Sequence, residues 1–223
     1  MDLRKLHNNI KRQLIQSVSS PGLHILDVGC GRGGDAFKWL DCKVNITMCD
    51  PDEELLNEAK RRCWKRPIEF YHGDISSTPV SPYDIICYNF SFQYTFESDS
   101  LFYKTIKCVH ERSKIGTKLV GIIPDSGFIL NHIKYTDNNG NYFLRNVDKT
   151  GNGEFGEKIW VCVKDTVYYQ NDTPIPEPIA YKDLMITELE TLGWSLDVWE
   201  PIVHHVTGLI TDMYSKFIFT RIQ

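Results

Sequence analysis

Three features of the sequence predict an α/β fold: a seven-stranded, mostly parallel sheet with helices on both faces and an antiparallel hairpin at its end. Apolar runs of strand length alternate with segments of helical period through residue 124, the pattern of parallel strands joined by helical crossovers. A glycine-rich turn, DVGCGRGGDAFKW at 27–39, follows the first of those runs. Two last apolar runs, 195–199 and 216–222, close the chain with no full crossover helix between them, so they pair antiparallel.

Residues 2–18 place Leu3, Leu6, Ile10, Leu14 and Val18 at spacings of three and four, an apolar helical stripe that ends before Ser19-Ser20-Pro21-Gly22. A strand over 24–28 runs into the glycine turn, and 35–40 opens the next helix. The second strand, 45–49, ends at Asp50 and is followed by a helix over 52–63 carrying Leu55, Leu56 and Ala59. Strands are predicted at 68–71 and 83–90, a helix at 101–112, and a fifth parallel strand at 118–123, stopped by Pro124. Beyond Pro124 the texture changes. Residues 135–155 are rich in Asn, Asp and Gly and read as a loop excursion; 158–169 has strand character. The stretch NDTPIPEPIAY, 171–181, contains three prolines, which excludes regular helix and a central strand. A helix over 181–192 is closed by Gly193. This is the outline of a class I methyltransferase more than of a two-halved dinucleotide fold.

The 223 residues suit one domain, long enough to bury a core without disulfides or a structural metal. No apolar stretch approaches the roughly 20 residues of a membrane span, and MDLRKLHNNIKRQ has no apolar signal core. Seven cysteines, an odd number with no C-x-x-C pair, fit reduced thiols in a cytosol-like compartment better than a disulfide framework or zinc site. A net charge of −4 argues against a broad surface tracking long nucleic acid, though not against a locally basic pocket.

The turn satisfies G-x-G-x-x-G at Gly29, Gly31 and Gly34 and also G-x-G-x-G at Gly29, Gly31 and Gly33, so the glycines alone leave a dinucleotide and other adenosine cofactors both open. The neighbours discriminate. Asp50 stands after the second strand, where a carboxylate can accept both ribose hydroxyls. Asp74 and Ile75, in the HGD turn after the third, suit adenine, one for the exocyclic amine and one for the ring face. A pyrophosphate prefers an open helix N-terminus without a nearby carboxylate. Asp27 and Asp35 flank this loop, which suits a cationic, phosphate-free cofactor such as S-adenosylmethionine. A small-molecule methyltransferase, a non-catalytic cofactor-binding module and, less readily, a nicotinamide oxidoreductase remain alternatives from these residues.

DVGCGRGGDAFKW resembles the first motif of the mRNA cap guanine-N7 methyltransferases, and the likeness continues in order along the chain. HNNIKRQLI (7–15), YDIICYNFSFQYTFES (83–98), IPEPIA and MYSKFIF are similar to that family's NNWIK-type helix, its FDI-CQF-CHYSFES stretch, its VPE segment and its last strand. The resemblance implies methyl transfer from S-adenosylmethionine to N7 of the 5′ guanosine cap, and a cofactor set of Lys11, Gly29, Asp50, Asp74, Asn89 and Tyr94, to which the reading of the loop and the HGD turn adds Asp27, Gly31, Gly33 and Ile75. It implies a cap-guanosine set of Asn8, Gln93, Tyr94, Glu177 and Tyr214, with Arg32, Lys38 and Arg62 nearest the cap phosphates and 125–180 as the cap-binding excursion. Three positions depart from the family pattern: Arg32 replaces the loop lysine, His7 an asparagine and Gln93 a histidine. The compact length resembles the methyltransferase module of capping enzymes of large cytoplasmic DNA viruses. That implies capped RNA as partner, triphosphatase and guanylyltransferase domains in the same polypeptide, and a cytoplasmic site of action. No general base is expected, because guanine N7 carries a free lone pair and the transfer needs alignment and a suitable field.

Overall fold

The computed structural model of the chain describes residues 2–145, 154–164 and 173–223. In chain order the main elements are α1 (Leu3–Val18), β1 (His24–Val28), α2 (Ala36–Asp41), β2 (Asn45–Asp50), α3 (Glu53–Arg62), β3 (Ile68–His72), β4 (Tyr83–Asn89), α4 (Asp99–Glu111) and β5 (Ser113–Pro124). They continue with α5 (Ser126–Leu130), β6 (Lys134–Thr136), β7 (Tyr142–Arg145), β8 (Lys158–Cys162), β9 (Ile175–Pro178), α6 (Lys182–Thr191), β10 (Trp194–Pro201) and β11 (Tyr214–Arg221). Local signals set several boundaries. Asp2, Asp52 and Ser98 cap α1, α3 and α4 by accepting from Lys5 N, Leu55 N and Leu101 N, which satisfies amides that the first helical turn leaves unpaired. Gly193, at φ +80°, lets the chain turn out of α6.

Seven strands form one sheet in the order β10-β11-β5-β4-β1-β2-β3. β1 to β5 are parallel, and β11 inserts antiparallel between β5 and β10, as the closing hairpin predicts. Neighbouring strand residues enter opposite cores. Leu26, Ile86, Leu119 and Phe219 pack with residues of α4 and α6 on one face, while Ile25, Ile85 and Val120 pack with Ile15 of α1 and Trp39 of α2 on the other. Burial on both faces explains the continuous apolar runs.

The expected loop over 135–155 is corrected. Residues 134–136 and 142–145 are β6 and β7, which join β8 and β9 in a second, four-stranded antiparallel sheet. The polar residues that read as a loop make the turn of a hairpin: Asp137 accepts from Asn139 N, Asn141 N and Asn141 Nδ2, and also from Ile210 N across the fold. Residues 146–153 of that expectation, and 165–169 of the strand predicted at 158–169, lie outside the described residues. β9 takes the edge of this sheet, a place that tolerates Pro176 and Pro178. β5 starts at Ser113, earlier than expected, and its register against β4 shifts between Tyr83 and Ile85. The inner face of the second sheet, with Phe143, Ile159 and Val161, packs against Ile10 and Leu14 of α1 and against Tyr214. That packing brings β9, α1 and the start of β11 to the same end of the main sheet.

Candidate active site

Sheet order reverses between β1 and β4, whose neighbours lie on opposite sides, and in open α/β sheets ligands bind outside the strand carboxyl ends at such a point. Gly29 follows β1 at φ +73°, and a Cβ there would fall 2.5 Å from Ser91 Cβ. Ser91, just past β4, is fixed by donating to Val28 O at 2.6 Å. Glycine is therefore required by two backbones closing on each other as well as by its φ. At Gly31 and Gly34, by contrast, a Cβ would meet no atom within 4 Å: this side of the loop borders open space.

Asp50 ends β2 with its carboxylate held by Gly31 N at 2.6 Å and Asp52 N at 2.9 Å. Each oxygen keeps further acceptor capacity. Asp74 is more committed than expected. It caps the 3₁₀ turn Ile75–Ser77, accepting from Ser76 N and Ser76 Oγ on one oxygen and from Lys104 Nζ at 2.8 Å on the other. An adenine amine would therefore share the oxygen facing Lys104. Ile75 is buried beneath this turn.

Three residues assigned separate ligand roles converge on one carboxylate, Asp35, and a fourth, Asn8, is joined to it through Lys38. Lys11 Nζ lies 2.8 Å from Asp35 Oδ1 and Lys38 Nζ 2.7 Å from the same atom, while Asn89 Nδ2 donates to Oδ2 at 3.1 Å. Lys38 also donates to Asn8 Oδ1 at 2.9 Å and to Gly34 O at 2.7 Å. Its ammonium has three N–H bonds and all are used. With its side chain 6% exposed, Lys38 is not placed to contact cap phosphates, which corrects the sequence expectation. Both lysines hold the Asp35 carboxyl below its usual range against the opposing effect of burial. The hub ties α1, the glycine loop, α2 and the end of β4 together.

Asp27 is turned into the core, where Trp39 Nε1 donates to its Oδ2 at 3.2 Å. Burial first, then the nearby Asp35 charge, raises its carboxyl to about 7. The charge argument drawn from the flanking acids is thereby weakened: Asp35 is neutralised by lysines, and Asp27 holds its proton well into the neutral range. His7 shifts the other way, lowered to about 4 by burial and by Lys11. Linkage gives opposite slopes. Below pH 7 the native state binds the Asp27 proton more tightly than the unfolded chain, so stability falls as pH rises from about 4 to about 7; for His7 the unfolded chain binds the proton more tightly, so stability rises between about 4 and about 6.5. In Asp27→Asn, whose side-chain oxygen can still accept from Trp39, the gain in melting temperature over the parent should be larger at pH 8 than at pH 5. Thermal melts across that range check it; an equal change at both values would place the Asp27 titration elsewhere.

The outer wall is aromatic. Tyr214 meets Phe90 edge-on at 5.0 Å and His7 at 5.6 Å, and His7 lies 5.4 Å from Phe90. His7 is fixed by a 3.0 Å hydrogen bond to Thr211 Oγ1, and Lys11 Nζ sits 6.0 Å from the Phe90 ring centroid. Phe90 itself has φ +60°, a strained setting for a bulky residue, of the kind found where a site over-determines its backbone. Sequence reasoning passed over Phe90, although it stands between Asn89 and Ser91 in the motif that was singled out. In the 3₁₀ turn Phe92–Glu97, Gln93 is buried and donates to Phe90 O at 3.1 Å, and Tyr94 is 45% exposed. Glu177, on β9, is 7% exposed. Tyr94 and Tyr214 have their phenols pushed up by burial and then by the Glu177 charge, and β9 packs against the turn that carries Tyr94. Asn89 Oδ1 and Gln93 Oε1 are buried with no hydrogen-bond partner among the described residues. Such acceptors beside a glycine loop bordering open space fit a ligand carrying N–H donors. Arg32 in the loop is partly exposed, and exposed Arg62 donates to Arg32 O at 2.6 Å.

The strand order, the antiparallel β11 and the acid-tipped strand ends around the glycine loop define a class I, Rossmann-like methyltransferase fold. A solved S-adenosylmethionine-dependent methyltransferase from Clostridium acetobutylicum superposes with a TM-score of 0.67 at 17% identity, covering 100% of this chain and 93% of the other. Within that class the chain belongs to the mRNA (guanine-N(7))-methyltransferase domain family, whose sequence model matches residues 1–171. The mRNA cap guanine-N(7) methyltransferase of Schizosaccharomyces pombe is 30% identical over 154 residues, 60% of this chain and 42% of the relative. That of Saccharomyces cerevisiae is 27% identical over 194 residues, 79% of this chain and 42% of the relative. The chain thus spans less than half the length of these relatives. No described helix is long and apolar enough to cross a membrane.

Proposed function

We propose that this chain transfers a methyl group from S-adenosylmethionine to N7 of the 5′ guanosine cap of mRNA. The observation that carries the reading is a buried carboxylate, Glu177, on a strand that packs against the turn carrying Tyr94, its charge reaching the phenols of both Tyr94 and Tyr214, within a family match. S-adenosylmethionine, when bound, supplies an electrophilic methyl on a sulfonium. Asp50 would hold its ribose, Ile75 and Asp74 its adenine, and Asn89 and Lys11 would border its amino-acid end, with Gly29, Gly31 and Gly33 allowing close backbone approach. Glu177 accepts from guanine N1–H and the exocyclic amine together, a pair that adenine does not offer. Tyr214, Phe90 and His7 wall the base, and Gln93 Oε1 supplies a further acceptor. His7 remains neutral at physiological pH because of its lowered pKa, so it does not repel a cationic donor. Since N7 has its own lone pair, these residues act by alignment and water exclusion, with no proton to remove.

Arg32 and Arg62 are the cations we assign to the cap triphosphate, with the guanidinium forks suited to phosphate. Capped RNA is the partner this reading requires. We further infer action within a larger capping polypeptide that supplies triphosphatase and guanylyltransferase activity, and a cytoplasmic site of action, consistent with free thiols at all seven cysteines. Calorimetry with S-adenosylhomocysteine tests the cofactor half. Asp50→Ala should weaken binding by roughly tenfold or more, since it removes charge-assisted bonds each worth about 1.5–3 kcal/mol; unchanged affinity would remove Asp50 from the cofactor set.

A further inference from the structure

Apart from Arg62, the basic run Lys60-Arg61-Arg62-Cys63-Trp64-Lys65-Arg66 is not absorbed by the cap pocket. It holds five cations in seven residues, leaving 20 cations against 29 acids in the rest of the chain. All but Cys63 are exposed. Cys63 is buried and, with Ala59, packs against Gly33, which anchors the end of α3 to the glycine loop. Arg61 is neutralised by a bidentate pair with Glu58 at 2.7 and 2.8 Å, whereas Lys60, Arg62, Lys65 and Arg66 have no salt-bridge partner among the described residues.

Two aromatic faces interleave with these charges. Trp64 is 75% exposed and Phe37, on α2, is 41% exposed, and the Arg66 guanidinium lies 5.7 Å from the Phe37 ring centroid. Exposed aromatics grouped with unpaired cations, rather than scattered singly, make a patch suited to binding. Lys65 adopts φ +63°, a left-handed turn that a lysine takes at a cost, just after the tryptophan it helps to present. The strip begins at the site, because Arg62 Nη1 donates to Arg32 O at 2.6 Å. It ends at a cleft of about 400 Å³ bordered by Arg66, His24, Asn45 and Glu69.

We propose that this strip, Trp64, Lys65 and Arg66 with Phe37, binds the single-stranded RNA that follows the cap. The inference rests on the capped-RNA reading above. Cations that track phosphates, alternating with aromatic faces on which bases stack, are the physical requirements for sequence-tolerant single-strand binding, and they explain how an acidic chain holds a polyanion locally. The cap pocket recognises the cap guanosine; the strip adds affinity for the RNA chain behind it.

The test compares two substrates and two variants, Trp64→Ala and Lys65→Ala/Arg66→Ala. With a capped, unstructured RNA of about 20 nucleotides, each should raise KM about fivefold or more, the loss of one stacked base or two phosphate contacts. With the dinucleotide GpppA, kcat and KM should stay at parental values, which also shows that the fold and pocket are intact. The double variant should flatten the log–log salt dependence of RNA binding by about 1.4. Binding of an uncapped fluorescent oligouridylate, read by anisotropy, should weaken in parallel. Unchanged KM for capped RNA and unchanged oligouridylate binding would overturn the proposal, as would an equal loss with GpppA. If the parent chain did not methylate GpppA at all, the proposed function would fail while the oligouridylate measurement still decided the strip.

Discussion

Asp35→Ala is expected to cost about 3–5 kcal/mol of folding stability, a large part of what a domain of this size possesses. The residue is nearly inaccessible, and two ammonium groups rest on one of its oxygens at 2.7 and 2.8 Å. Removing it leaves Lys38 buried without its counter-charge, Lys11 beside it, and Asn89 Nδ2 without its acceptor, so repulsion and desolvation add. Urea titration of parent and variant measures the loss. Asp35→Asn should lose less, because its carbonyl oxygen still accepts from an ammonium. Adding Lys38→Met to Asp35→Ala should recover part of the loss, since it removes the charge that was stranded. A midpoint unchanged in Asp35→Ala would mean that the lysines find other partners and that the hub does not hold α1 to the loop.

The second large effect is on the acceptor. Glu177→Gln should lower kcat/KM for GpppA roughly 100-fold, equivalent to about 3 kcal/mol, while S-adenosylhomocysteine affinity stays near the parental value. Guanine presents two adjacent N–H donors, and a carboxylate accepts both; the glutamine amide accepts one and turns its own N–H toward the other. The pocket magnifies the mismatch because position 177 is 7% exposed and water cannot repair it. Tyr94 and Tyr214, whose phenols are pushed up by burial and then by the Glu177 charge, would lose that charge from their surroundings. Steady-state kinetics with GpppA alongside calorimetry separates base recognition from cofactor binding, and undiminished cap methylation by Glu177→Gln would remove this residue from the base pocket.

What the sequence made legible follows from the length of the signals involved. The strands of the main sheet are apolar on both faces because both faces are covered, so runs such as YDIICYNF stand out without any knowledge of their partners. The hairpin β10–β11 was readable from the missing crossover. β6 and β7 were not, because strands of three and four residues flank a turn whose Asp137 and Asn141 are polar for the reason turns are polar. Tertiary packing of Phe143 against α1 and α5, invisible locally, makes those short segments strands.

The site divides along the same line. Gly29, Asp50 and Asp74 occupy strand ends, and their places follow once the strands are known. Lys38 misled because a lysine beside a phosphate-sized loop reads as a surface cation. Its burial depends on Asn8, 30 residues earlier, folding back onto the loop. Asp35 was noticed as a flanking acid but not as a hub, since the convergence of Lys11 and Asn89 upon it needs α1 and β4 to be placed in space. Glu177 stood in a proline-rich stretch with no periodicity to orient it, and only the pairing of β9 with β8, opposite Ile159, buries it.

The central claim is the identity of the methylated atom. Incubation of the chain with methyl-labelled S-adenosylmethionine and GpppA, followed by pyrophosphatase and phosphatase digestion and separation of nucleosides, should yield all the label as 7-methylguanosine. Substrate already methylated at N7 should accept none. Label recovered at another position, or no transfer by folded protein that binds the cofactor, would contradict the account.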